Sequence, residues 1–225
     1  MDAVNETGEW KGVPFTLIRK HVRSVRIRVL TDGSLMITAP PGFDVAPLLA
    51  TRAGWIARKR AGLEMLAVDF AGTGDLLLFD GGFYHLVHGE FCGSESDSFF
   101  YTTPDALRKM IISRLRRDLE ERLSRNSEII GVSYGRFAIK KQKTRWGSCS
   151  GLGNLNFNLR LAALPEDLRE YVVIHELAHL RVPDHSSAFW SLVEEFYPAH
   201  RDAKAGLRKY WVAIGRNMVW KELLA

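Results

Sequence analysis

The segment between Pro165 and Pro183 constrains this chain more than any other. Pro165, with Glu166 and Asp167 behind it, is a helix opening: proline presets φ, and acids in the first turn complement the helix dipole. Tyr171, Val172, Ile174, Leu177 and Leu180 supply an apolar face. Val182-Pro183-Asp184 should stop the helix, because the residue before a proline is pushed out of the α region. The helix so bounded carries His175-Glu176-Leu177-Ala178-His179. Residues four apart lie on one helix face about one turn apart, so the two imidazoles can grip a single tetrahedral zinc ion. Glu176 stands one residue past the first of them and can reach water on the metal without ligating the metal. Zinc brings the pKa of such water toward about 7, and the carboxylate takes its proton. A third histidine, His185, comes six residues after His179. The turn at Pro183 can fold the chain back and bring His185 to a third coordination position. Three protein ligands and one open position make the catalytic arrangement, whereas a structural site is closed by a fourth ligand.

The other histidines fit different roles. His85 and His88, three apart on or beside an expected strand, point to opposite faces and suit core or surface positions. His200 follows Pro198 near a helix start, where an ordinary surface residue is expected. Tyr197, His200 and backbone amides remain open as the group that would stabilise an oxyanion.

The rest of the chain reads as α+β. With 225 residues, 46% hydrophobic, it can form one large domain or two small ones. Val22, Val25, Ile27 and Val29 alternate with arginines, Asp32-Gly33 is a hairpin signal, and Leu35, Ile37 and Ala39 continue the alternation. Asp44 then suits an N-cap for a helix to about Met65. Asp80-Gly81-Gly82 lies between two apolar runs as a second hairpin, and residues 93–98 read as a polar loop. From Pro104 to about Asn126 the stripe Leu107, Ile111, Leu115, Leu119 and Leu123 marks a helix. Strands are expected at Tyr134–Lys140, Arg145–Cys149 and Asn154–Arg160, and two closing helices at Ser187–Tyr197 and about Arg201–Ile214. The change of character near residue 102 suggests a β-rich N-terminal domain over 1–102 and a second domain over 103–225.

Charge and cysteine usage bound the setting. The net charge of +5 is concentrated: Arg19, Lys20, Arg23, Arg26 and Arg28 fall in one acid-free stretch, and Arg136, Lys140, Lys141, Lys143 and Arg145 in another. Such stretches are either solvated faces or a nucleic-acid footprint. No apolar run approaches 18 residues, so no transmembrane helix and no membrane partner are expected. Met1-Asp2-Ala3-Val4-Asn5-Glu6 is acidic and lacks an apolar core, so no secretory signal is expected. Cys92 and Cys149 are too few for a disulfide framework, and the cytoplasm is the simplest expected location.

Four motifs in order resemble the YgjP-like metallopeptidases. They are Arg145-Trp146-Gly147-Ser148-Cys149-Ser150, Asn154-Leu155-Asn156-Phe157-Asn158-Leu159-Arg160-Leu161, Tyr171 to Leu180, and His185-Ser186 with Phe189-Trp190. The resemblance spans about residues 104–214, and more loosely the part before it. It implies a minimal zincin-like fold related to the SprT-like and WLM proteases, with an active-site helix beside a small antiparallel sheet. It implies a zinc ion on His175, His179 and His185, Glu176 as catalytic residue, and protein or peptide substrates. Arg145, Trp146, Gly147, Ser148 and Cys149 would then lie near the cleft, where an edge strand receives an extended substrate. The histidine spacing equals that of metzincins, but Val182 stands where those proteins place glycine, and no Met-turn is evident. Cys149 reads as a small buried strand residue, or as a metal ligand or redox-sensitive thiol near the zinc. Trp146 reads as core or cleft wall, and Arg145 and Arg160 as partners of core acids or of substrate. Two other classes stay open: a protease or binding factor associated with DNA or RNA, and a metal-binding member that cuts nothing. Oligomeric state is not legible in the sequence.

Overall fold

The computed structural model describes residues 4–225. Met1, Asp2 and Ala3, part of the stretch read above against a secretory signal, lie outside the described residues. The chain divides into two compact units, one of residues up to Ala71 with Trp211–Arg216, the other of Gly72–Tyr210 with Asn217–Ala225.

The first unit is a four-stranded sheet with two helices. Strands β1 (Val4–Trp10) and β2 (Val13–Arg19) form a hairpin across Lys11 and Gly12, both at positive φ. Two successive positive φ values give a hairpin turn whose twist matches its strands. Strands β3 (Arg26–Val29) and β4 (Leu35–Ala39) form the hairpin that Asp32-Gly33 predicts, and β2 pairs with β4 in parallel, giving the order β1-β2-β4-β3. Val13, Leu17, Leu35, Ile37 and Ala39 pack with Leu49 and Ile56 from the helices. The one helix expected from Asp44 is two, α1 (Ala46–Thr51) and α2 (Ala53–Ala67), broken at Arg52. Asp44 does not stand at the N-cap, which is Val45: its Oδ1 accepts from the amide of Ala46, the first residue of the helix.

The second unit opens with the same topology. Strands β5 (Leu77–Phe79), β6 (Gly82–His88), β7 (Gly93–Glu95) and β8 (Ser98–Tyr101) are ordered β5-β6-β8-β7, again two hairpins joined by a parallel pair. The expected polar loop at 93–98 is therefore the second hairpin of this sheet; its polar residues belong to strands with exposed faces. Helix α3 (Pro104–Ile130) follows, with Thr103 capping the Ala106 amide and Gly131 ending it at φ 72°. All five stripe leucines and isoleucines are buried. The division of units falls between residues 71 and 72 rather than near 102, because the β5–β6 turn is tied to the later chain. The amides of Asp80 and Gly81 donate to the carbonyls of Ala162 and Ala163, Arg169 pairs with Asp80 at 2.6 Å, and the Trp220 indole donates to Leu78 O.

Three short strands support the site: β9 (Phe137–Lys140), β10 (Gly147–Cys149) and β11 (Leu155–Asn158), ordered β10-β11-β9. The small sheet is mixed, not antiparallel throughout, since β9 and β11 run parallel while β10 returns between them in sequence. Helices α4 (Glu166–Ala178), α5 (Ser187–Phe196), α6 (His200–Arg216) and α7 (Met218–Leu224) complete the chain, α7 being unforeseen. No helix among the described residues is long and apolar enough to cross a membrane.

Candidate metal centre

Helix α4 is anchored at its outer face by charge. Arg122 of α3, 6% exposed, reaches Asp118, Glu166 and Glu170, and Asn126 and Arg125 also donate to Glu170. Burial would raise the Glu170 carboxyl, but these three donors hold it below the ordinary carboxylate value. The opposite face, with Tyr171, Val172, Ile174 and Leu177, is buried as the sequence implies. The helix ends just before His179, several residues ahead of Pro183. The amides of Leu180 and Arg181 close back on Leu177 and Ala178 in tighter three-residue turns, each at 3.0 Å.

That early turn brings the three histidines together. Their ligand nitrogens all lie within 4.8 Å of one another, and Nε2 of His175 and Nε2 of His185 are 3.2 Å apart. Two nitrogens on one tetrahedral zinc at ordinary bond lengths would stand roughly 3.3 Å apart, so this donor set fits the ion. Nδ1 of His179 lies 3.2 Å from the Val182 carbonyl. A carbonyl only accepts, so this nitrogen carries the proton and Nε2 keeps its lone pair. Burial, with His179, His185 and Lys204 nearby, pushes His175 down to about 3; burial also lowers His179. Both are neutral near pH 7, the form that binds metal. Phe189, fully buried, contacts all three rings, stacked on His179 at 4.4 Å and edge-on to His175 and His185.

Glu176 lies against the sheet side. It is 5% exposed, and its Oε2 has no hydrogen-bond partner. Burial pushes its carboxyl up to about 8, a rise that the charge of Arg145 partly offsets. The side chain can lie there because residue 147 is glycine: a Cβ at that position would stand 2.6 Å from Oε1.

The five residues expected near the cleft all line one cavity of about 470 Å³ together with the histidines and Glu176. Strand β10 is the edge of its sheet, paired with β11 alone. A second cavity of about 520 Å³ continues past Cys149, His179 and Pro183. Asn158, fully buried, donates to the carbonyls of Gln142 and Arg145, and Arg160 also donates to Gln142 O. Arg160 thus braces the loop before β10. Cys149 is half-buried; burial and the charge of Glu176 push its thiol up, and it is outside the histidine cluster.

His85 and His88 are exposed on β6, away from this cluster. The surface position expected for His200 is wrong: it is 5% exposed and stacks on Trp190. Its helix starts one residue earlier than the pattern suggested, with His200 as its first residue. Phe189 and Trp190 were legible only as part of a motif; their proximity to the histidines depends on how α5 meets α4.

The family model for the YgjP-like metallopeptidase domain matches residues 23–210. No curated protein matches. A solved structure, the metallopeptidase zymogen of Pyrococcus abyssi abylysin, is 30% identical over 39% of this chain and 87% of that one, with a TM-score of 0.35.

Proposed function

The chain belongs to the YgjP-like metallopeptidase family, and from that premise we propose that it is a zinc-dependent endopeptidase of zincin-like arrangement. The observation that carries this reading is the convergence of three imidazole nitrogens beside a buried carboxyl whose Oε2 has no partner, in an open cleft. His175, His179 and His185 would hold the ion. Zinc, when bound, supplies Lewis acidity toward a peptide carbonyl and makes water acidic enough to be deprotonated near neutral pH. Glu176 is the general base. Its Oε2, buried at the cleft with no partner, is placed to take a proton from the attacking water and pass it to the leaving amine. The free edge of β10 offers backbone groups to an extended peptide, with Arg145, Trp146, Ser148 and Cys149 beside it. Two cavities that share Cys149, His179 and Pro183 in their walls give an extended chain room beyond the histidines, which favours internal bonds over terminal ones. Two free cysteines fit the reducing cytoplasm expected from the sequence.

The test is Glu176→Gln assayed on an unfolded protein. Loss of about 10²–10⁴-fold in rate with zinc retained is expected. Wild-type hydrolysis with zinc bound would sink the role of Glu176. A second reading, a protease brought to DNA or RNA, is favoured by Arg23, Arg26 and Arg28, exposed on and beside edge strand β3. It requires affinity that falls steeply with salt, and no mobility shift of DNA or RNA at low salt would remove it.

A further inference from the structure

We infer that Trp190 is a positioning residue that fixes the ring of His185 in its metal-binding orientation. The inference rests on the zinc reading above.

His185 is the least constrained of the three histidines. It is exposed and lies in the connection between α4 and α5, outside regular structure. A metal-binding imidazole is usually oriented by a hydrogen bond from its second nitrogen. His179 has such a partner in the Val182 carbonyl. For His185 no carbonyl or carboxylate fills that role among the described residues. Its ring lies instead nearly parallel to Trp190, with centroids 5.6 Å apart and planes 26° apart, and edge-on to Phe189 at 4.8 Å. Stacking therefore sets the plane of the imidazole.

Trp190 is itself held. His200 stacks on it at 5.6 Å and 20°, and the Lys204 ammonium lies over its ring, 3.2 Å from the centroid. His200 and Lys204 are four apart on α6, so they occupy neighbouring positions on one helix face and grip the indole from consecutive turns. Phe189 meets it perpendicularly at 5.0 Å. Trp190 also contacts His175, at 5.9 Å between centroids. Its contribution is thus to where the third nitrogen sits, and through that to how tightly the ion is kept.

The experiment measures zinc affinity of the full chain by competition with a chromogenic chelator, and the visible spectrum after cobalt(II) replaces zinc. Trp190→Phe keeps a stacking ring and should stay within about threefold of wild type. Trp190→Ala and Trp190→Leu remove it; zinc affinity should fall about 10–100-fold, the range for loss of an orienting partner. The cobalt spectrum should move toward that of His185→Ala. The Leu variant keeps apolar bulk, so it carries the test should the Ala variant fail to fold by circular dichroism. Wild-type affinity and an unchanged cobalt spectrum in folded Trp190→Leu would overturn the inference and leave the zinc reading standing. A wild-type chain that binds no zinc would instead remove the reading beneath it.

Discussion

Gly147→Ala isolates the placement of Glu176, the proposed general base. Residue 147 is not at positive φ, so alanine imposes no backbone strain there. Its only effect is a methyl group at 2.6 Å from Glu176 Oε1 and 2.8 Å from both Cδ and Cγ, where ordinary contact begins near 3.4 Å. Glu176 must retreat by about 0.6–0.8 Å along most of its side chain, and burial leaves it little room to do so. A displacement of about 1 Å in a catalytic group costs roughly 10²-fold. The expected fall in kcat is therefore about 10²-fold, equal to about 2.7 kcal/mol of barrier. KM should change little, because the β10 backbone proposed to meet the substrate is intact. Zinc content should also be unchanged, since none of the three histidines is touched. Overpacking should lower stability by about 1–3 kcal/mol. The assay is initial rates on a fluorogenic unstructured peptide, alongside zinc analysis and thermal melting. A variant with wild-type kcat, bound zinc and a wild-type melting temperature would refute the claim that this glycine sets the position of the base.

Other perturbations test the surroundings. The Glu170 carboxyl is held below 4.5 in the folded chain, so its contribution is complete above pH 4.5 and is lost as pH falls below it. Glu170→Gln should therefore flatten the acid limb of the stability curve and cost about 1–3 kcal/mol at pH 7, as read by urea melts across pH. Asn158→Ala removes the donor held 2.7 Å from the Arg145 carbonyl and leaves Gln142 O with Arg160 alone; a loss of about 1–3 kcal/mol is expected, with a fall in kcat as the loop before β10 loosens. Cys149→Ser should keep zinc and stay within a few-fold of wild-type activity, and loss of the ion would restore the reading of this thiol as a ligand.

What the sequence made legible was local. The α4 face, the α3 stripe and the Asp32-Gly33 and Asp80-Gly81 turns follow from period and backbone preference, which few neighbours can override. The misreadings came where a local signal was taken for a tertiary one. The shift from strands to helix near residue 102 marks a change of element, but Arg169 and Asp80 bind the two sides into one unit across 89 residues. The serine-rich stretch at 93–98 looked like a loop because a strand with exposed faces need not alternate. A place just after Pro198 at a helix start reads as surface for His200, yet its ring is buried against Trp190, a residue from another helix.

The parts of the site differ in the same way. His175 and His179 are set by the helix repeat, so any chain with this segment in a helix brings them together. Glu176 gets its basicity from burial, and that burial depends on a glycine about thirty residues away in sequence on a strand edge. His185 depends on a further step, since neither the helix repeat nor a hydrogen bond orients its ring. Its place is decided by the side chains of α5, which α6 in turn holds. The proposed ligand easiest to move without unfolding α4 is therefore the third one, and metal retention should respond to changes in α5 and α6 that leave the H-E-x-x-H helix unaltered.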